Sequence, residues 1–349
     1  MIQVPPTGNG FRRKRVVVDA YVPYIKPLMQ IAAVGTVSPE AITREVVKDA
    51  DALIIRTRTK CNADLLEGSR VKFIATATIG TDHIDLPWCK EHGITVANAP
   101  GCNAPAVAQY VFSTLMRVIN RPLSSYTLGI VGVGHVGRIV EQWARGMHMR
   151  VLVCDPPRQR AEGGDGWSSL DEIAAEADII TFHTPLTRTG EDATYHLADR
   201  RFFDSLRRAP IIINAARGPI ADTAAWIDAI DRGIVGPAII DCWEGEPNIN
   251  RDLLHRAAIA TPHIAGYSDA GKRRATRMAV DAFSECFDLP HIEVGGDIPP
   301  VARYITPAVA YRGYDPTVDD AALRAAPDTF EHLRDTYHLR PELPEKRPR

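Results

Sequence analysis

The sequence predicts an α/β protein built from two doubly wound parallel sheets, followed by a short C-terminal α/β or helical segment. Three observations predict it: short apolar runs that alternate with helical stretches, a glycine-rich turn between a strand and a helix, and a length of 349 residues, too long for one ordinary core. Parallel strands covered by helices on both faces read as unbroken apolar runs, and such runs recur here.

In the first third, strands are expected at 16–18, 52–56, 72–77 and 94–97, with helices near 24–33, 39–49 and 84–92. Residues 1–14, with two prolines, two glycines and the cluster Arg12, Arg13, Lys14, read as a loose leader with a solvated basic flank. Asn103 is the expected cap of a helix that runs to Asn120; Pro105 sits in its first turn, where a missing N–H does no harm, and Arg121-Pro122 ends it. Strands follow near 127–131, 150–154, 178–183, 210–214, 238–241 and 258–260, and 270–287 reads as one long helix. From Pro290 glycines and prolines interrupt, 316–338 has room for two helices, and the closing P-E-K-R-P-R reads as frayed.

Bulk composition excludes several function classes. Lys plus Arg is 41 against Asp plus Glu at 43, a formal charge of −2, so no overall field recruits nucleic acid or anionic lipid. No apolar run approaches the ~18 residues of a membrane span. The six cysteines (Cys61, Cys89, Cys102, Cys154, Cys242, Cys286) are scattered without a C-x-x-C pair, and the N-terminus lacks a signal-peptide apolar core, which reads as reduced thiols in a cytoplasm. Neither H-E-x-x-H nor G-x-S-x-G occurs, and no Cys/His spacing points to zinc.

T-L-G-I-V-G-V-G-H-V-G places Gly132, Gly134 and Gly137, with His135 and Val136 between, at the end of a buried strand and the start of a helix. The first glycine serves the tight turn, the second lets a pyrophosphate approach the backbone, and the third packs helix on strand. The next strand ends in Asp155, where a carboxylate can accept both ribose hydroxyls of NAD and would repel a 2′-phosphate; Arg158 close behind is the one feature that points the other way. The second sheet is thus expected as a Rossmann domain over 106–265. The two long helices flanking it predict a discontinuous, flavodoxin-like substrate domain at 12–105 and 266–290, with a C-terminal region at 291–349.

Three segments carry candidate catalytic groups: N-A-A-R-G at 214–218, W-E-G-E-P at 243–247 and T-P-H-I-A-G-Y at 261–267. Arg217 follows a strand end and has the planar fork that grips a carboxylate and a carbonyl oxygen, a task lysine performs poorly. His263, also at a strand end, can take a hydroxyl proton, and Glu246 between them can hold the other ring nitrogen. Singly each has an ordinary structural explanation; together, behind a dinucleotide loop, they fit hydride transfer on a 2-hydroxy acid.

At these residues the chain resembles the D-isomer-specific 2-hydroxyacid dehydrogenases and, within them, the branch acting on 4-phospho-D-erythronate. The segments R-T-R-T-K at 56–60, F-I-A-T-A-T-I-G-T-D-H-I-D at 73–85, A-P-G-C-N-A at 99–104, C-D-P-P at 154–157, F-H-T-P-L at 182–186, D-C-W-E-G-E-P at 241–247 and P-H-I-A-G-Y at 262–267 carry the resemblance. It implies oxidation of that acid to (R)-3-hydroxy-2-oxo-4-phosphooxybutanoate on the way to pyridoxal 5′-phosphate, a homodimer, and His263 as proton donor in the reductive direction. It further implies NAD contacts at Asp155, Thr184, Ala215, Ala216, Arg217, Asp241 and Gly266, and substrate contacts at Thr57, Thr78 and Tyr267. The chain departs from that branch at Thr57, where serine is usual, and matches its C-terminal dimerisation region only in part, through L-R-A-A-P-D-T-F-E-H-L-R at 323–334.

A phosphate four carbons along needs donors besides Arg217, and Arg56, Thr57, Arg58 and Lys60 follow a strand end in the first domain, so Arg56 or Arg58 is expected to hold it. Two readings stay open beside this one. The first is a sister dehydrogenase for 3-phosphoglycerate, glycerate or hydroxypyruvate, sharing every catalytic residue; the second is an NAD-binding corepressor or redox sensor.

Overall fold

The computed structural model describes residues 12–344. The chain divides into two compact units: residues up to Cys102 together with Lys272–Pro299, and Asn103–Gly271 together with residues from Pro300 onward. The crossings therefore fall at 102/103, 271/272 and 299/300, against expected boundaries at 105/106, 265/266 and 290/291. Leader residues 1–11 and the closing residues 345–349 lie outside the described part.

In the first unit β1 (Arg15–Asp19), β2 (Ala33–Val37), β3 (Ala52–Ile55), β4 (Phe73–Thr76) and β5 (Thr95–Ala97) pair in parallel in the order β2-β1-β3-β4-β5, the flavodoxin-like order. Alternate residues face opposite layers. Val16, Val18 and Ile54 join Val280 and Phe283 of the long helix Asp269–Cys286. Val17, Leu53 and Ile55 join Val47, Leu65 and Cys89 on the other side. Both faces are covered, so strand positions that a half-exposed sheet would make polar are apolar here.

Several local expectations are corrected in this unit. β2 was not foreseen, because A-V-G-T-V is an edge strand with no fully buried position and shows no apolar run. The helix expected at 24–33 is only a short 3-10 helix, Lys26–Gln30, with a proline in its first turn, after which the chain enters β2. The helix expected at 39–49 breaks into a 3-10 turn at Pro39–Ala41 and a single helical turn, Arg44–Val47. The basic flank is not merely solvated: Arg13 donates to the carbonyls of Met29 and Gln30, and Lys14 lies 4.7 Å from the Phe287 ring centroid.

In the second unit β6 (Thr127–Val131), β7 (Arg150–Cys154), β8 (Ile179–Phe182), β9 (Ile211–Asn214), β10 (Ala238–Ile240) and β11 (Ile259–Ala260) form one parallel sheet, ordered β11-β10-β9-β8-β6-β7. The Rossmann order calls for one more strand outside β7. That position is reduced to a single ladder bond, Ser168 N–H to Val153 O at 2.7 Å. Ile130, Ile179, Ile213 and Ile239 face one layer; Val131, Ile180, Ile212 and Ile240 face the other.

The C-terminal residues build into this unit's own core. Ala310 of helix Pro307–Gly313, with Tyr314 just after it and Leu343 near the end of the described residues, packs in one layer, and Leu323 and Phe330 of helices Pro316–Ala325 and Phe330–Asp335 pack in the other. The helix Ala104–Val118 does begin after Asn103, yet the Asn103 side chain makes no capping bond. It lies instead against Gly266, where an added Cβ would come within 2.1 Å of its amide nitrogen. Close packing there outweighs the cap.

Candidate active site

The nucleotide turn sits at the carboxyl ends of β6 and β8, where the strand order reverses and a ligand crevice is expected. Gly132 has φ +88°, and a Cβ on it would lie 2.7 Å from the Thr184 amide nitrogen; a Cβ on Gly137 would meet the Gly132 carbonyl at 2.2 Å. Both therefore serve packing. Around Gly134, by contrast, an added Cβ meets nothing within 4 Å, so the space over the start of helix His135–Gly146 is open to a pyrophosphate. His135 is exposed on that side, Val136 packs toward the core, and the Thr184 hydroxyl beside the turn is buried without a hydrogen-bond partner.

Asp155 directly follows β7 and caps the helix Pro156–Glu162. Its carboxylate accepts from Val133 N–H at 2.8 Å and from Arg158 N–H at 3.1 Å, which ties the acidic residue to the glycine turn. Arg158 directs its guanidinium at Glu162 (2.8 and 2.6 Å) and the Val133 carbonyl (2.6 Å). Its charge is spent locally, which removes the sequence's one argument for a 2′-phosphate.

Beyond β9, the buried Asn214 organises the turn that presents Arg217: its amide nitrogen donates to Arg217 O at 3.0 Å and its oxygen accepts from Ala216 N–H at 3.2 Å. Gly218 follows because the next loop passes so close that a Cβ would sit 1.9 Å from the Trp243 carbonyl oxygen. That loop returns with Glu246, whose two oxygens divide their work. One accepts from Trp243 N–H at 2.7 Å and the other meets His263 Nδ1 at 2.7 Å. Trp243 is itself anchored by its indole N–H on Thr261 O at 2.9 Å.

His263 stands at φ +56°, a backbone region that costs a non-glycine residue about 1 kcal/mol or more and persists only when the surroundings impose it. The surroundings do. Asp241, fully buried, accepts from Thr261 Oγ1 (2.7 Å), Ile264 N–H (2.8 Å) and Ala265 N–H (3.0 Å), and Tyr110 OH pairs with Thr261 Oγ1 at 2.8 Å. From the other side Arg340 donates to Ile264 O (3.0 Å), Ala106 O (3.2 Å) and Ala265 O, while the Tyr337 ring packs edge-on against Tyr267 at 5.9 Å. Asp241, expected at the cofactor, is thus committed inward to the loop that carries the histidine.

Charge follows this geometry. Burial by itself opposes a protonated His263, but the nearby Cys242 sulfur and Glu246 carboxylate outweigh it and hold the imidazole well above its ordinary value. Glu246 is held low despite burial, with His263 its main stabilising partner. Burial pushes the Asp241 carboxyl up and drives His183, at the end of β8, down to about 3, so that imidazole stays neutral.

Arg217, Glu246 and His263 are therefore assembled in the second unit, together with the glycine turn, Asp155, Thr184, Ala215, Ala216, Gly266 and Tyr267. Arg56, Thr57 and Thr78 belong to the first. There Arg56 follows β3 and pairs with the buried Asp19 at 3.4 Å, Thr57 is exposed, Arg58 pairs with Glu40 at 3.9 Å, and Thr78 shares a 2.6 Å hydroxyl contact with Thr76. Sequence reasoning missed Asn214, Tyr110, Tyr337 and Arg340. Only Asn214 left a signal, an amide at the end of an apolar strand just before A-A-R-G.

A family profile described as D-isomer specific 2-hydroxyacid dehydrogenase, NAD binding domain, matches residues 107–265. The erythronate-4-phosphate dehydrogenase of Bacteroides thetaiotaomicron is 48% identical over 94% of this chain and 97% of its own length. The chain belongs to the erythronate-4-phosphate dehydrogenase family. The Escherichia coli (strain SMS-3-5 / SECEC) member is 40% identical over 94% of this chain and 92% of its own. Among solved structures, a D-lactate dehydrogenase from Aquifex aeolicus complexed with NAD and lactic acid aligns with a TM-score of 0.67 and 26% identity, over 78% of this chain and 95% of that one.

Membership makes the chain an NAD-dependent oxidoreductase. The crevice fits that cofactor: open space at Gly134, an orphaned hydroxyl at Thr184 and a carboxylate at the β7 end are what a dinucleotide requires. Among the described residues no helix is long and apolar enough to cross a membrane.

Proposed function

We propose that the chain oxidises the 2-hydroxyl of 4-phospho-D-erythronate to (R)-3-hydroxy-2-oxo-4-phosphooxybutanoate. The observation that carries the proposal is the 2.7 Å Glu246–His263 pair, held beside a dinucleotide crevice in a chain whose curated relatives bear that substrate in their names. NAD, when bound along Gly132–Gly137, Asp155 and Thr184, supplies the hydride acceptor.

His263 takes the hydroxyl proton through Nε2, since Nδ1 is occupied by Glu246. Glu246 fixes that orientation and stabilises the imidazolium that results. Arg217 grips the substrate carboxylate and the oxygen being oxidised, which selects the hydrogen that departs. In reduction the same His263 returns the proton. Thr57, Thr78 and Tyr267 contact the substrate, Ala215, Ala216 and Gly266 line the cofactor, and Arg56 or Arg58 holds the phosphate. Arg56 is the better oriented of the two, because Asp19 fixes its guanidinium. The active form is a homodimer in the cytoplasm.

The test is NADH formation by the purified protein on 4-phospho-D-erythronate and on 3-phosphoglycerate, with and without a 2-oxo acid to reoxidise retained cofactor. Preference for the four-carbon acid supports the proposal. Preference for the three-carbon acid overturns the substrate and leaves the catalytic roles standing.

A further inference from the structure

Cys242 has no part in the reaction just described, yet its buried sulfur lies within the catalytic pair. Its Sγ, a Glu246 carboxylate oxygen and a His263 ring nitrogen all lie within 4.8 Å of one another, and no other set of three such donors exists among the described residues. We propose that Cys242, Glu246 and His263 form an inhibitory binding site for a borderline-soft divalent cation, zinc above all. This rests on the proposed role of His263 only for its inhibitory effect, not for binding.

One thiolate, one imidazole and one carboxylate are the donor types zinc prefers, and three protein ligands leave a fourth position for water. Magnesium and calcium, which want oxygen ligands, are excluded by the sulfur. Tetrahedral zinc with bonds of about 2.0–2.3 Å needs the sulfur nearer its partners than the outer limit seen here and the hydrogen-bonded pair, at 2.7 Å, slightly further apart, so the Glu246 and His263 side chains adjust around the ion. Such a shift is modest for Glu246 and His263, whose side chains are 20% and 28% exposed and give the ion its route in. Cys242 is rigidly placed: it ends the buried Asp241-Cys242 step, and its sulfur points toward Ala216 O at 3.4 Å.

Binding releases two protons, one from the thiol and one from the imidazolium, and moves no electrons. His263 and Glu246 are then ligands, and the imidazole can no longer serve as an oriented base for the substrate hydroxyl, so turnover stops. The site is built on the segment D-C-W-E-G-E-P, in which Cys242 is buried as a small hydrophobe would be.

The chelator-treated full-length protein is titrated with Co²⁺, without substrate or nucleotide, and compared with Cys242→Ser. The wild type is expected to give a near-ultraviolet thiolate-to-cobalt charge-transfer band and the visible bands of a tetrahedral ion, both lost in C242S. Zinc should inhibit NADH formation by the wild type, with C242S needing at least about tenfold more. Should C242S fold poorly by circular dichroism, Cys242→Ala serves the same comparison. No charge-transfer band in the wild type, or equal bands and equal inhibition in both proteins, overturns the proposal. The spectral comparison needs no substrate, so it decides the metal site even if neither phosphorylated acid is turned over.

Discussion

Replacing Glu246 by glutamine separates the electrostatic role of the carboxylate from its role as a hydrogen-bond partner. The amide keeps an oxygen for Trp243 N–H and nearly the same volume, so the loop retains its anchor, but the negative charge 2.7 Å from His263 Nδ1 is gone. An opposite charge at that range is worth about 1–3 pKa units, the lower half applying here because both side chains retain some contact with water. His263 is raised in the wild type, so the unprotonated base that oxidation requires accumulates only on the alkaline side. In the variant the imidazole loses its proton more readily, and the pH limb of kcat/KM for NADH formation should move downward by ~1–2 units. The amide also presents a donor to Nδ1 and favours the wrong tautomer, so kcat should fall by roughly 10²–10⁴ even at the new optimum. Metal-free buffer and a parallel nucleotide-binding titration, unchanged in the variant, make the reading clean. If the limb stays where the wild type has it while kcat falls, the titrating group is not His263 and the electrostatic reasoning is refuted.

Three further outcomes are expected. His263→Asn should lower turnover by ~10²–10⁴ with nucleotide affinity kept, and near wild-type turnover would remove it from proton transfer. Gly218→Ala forces a Cβ to within 1.9 Å of the Trp243 carbonyl, so the Glu246 loop must move; thermal stability should drop by about 1–3 kcal/mol and kcat with it, and an unperturbed variant would show that the two loops do not pack this closely. Arg340→Met strips donors from the carbonyls of Ile264, Ala265 and Ala106, at a cost of about 3–5 kcal/mol in a denaturation measurement, and should loosen the His263 loop enough to lower kcat more than it raises KM.

Much of this architecture is written locally. The strands of both sheets are buried on both faces and so announce themselves as apolar runs, and the nucleotide turn is legible because each glycine answers a steric demand that only glycine meets. Arg217, Glu246 and His263, the groups proposed to react, drew attention because Arg217 and His263 follow strand ends, with Glu246 in the loop between them, and few other residue types supply their chemistry.

Elsewhere the local pattern misled. Asn103 has the composition of a cap, but its side chain goes to Gly266, and the apolar period near 24–33 resolves into a 3-10 turn and an edge strand once neighbouring β1 is in place. What the sequence by itself determined, then, is the set of buried strands, the dinucleotide turn and the three side chains proposed to react, because burial on two faces, positive φ and acid–base chemistry each restrict residue type position by position. Only the tertiary structure decided that Asp241 turns inward, that Arg340 clasps the histidine loop from 77 positions downstream, and that Cys242 lies beside Glu246 and His263. A buried polar group's partner is chosen by where the chain's packing brings another donor or acceptor, and that choice leaves no mark on neighbouring residues.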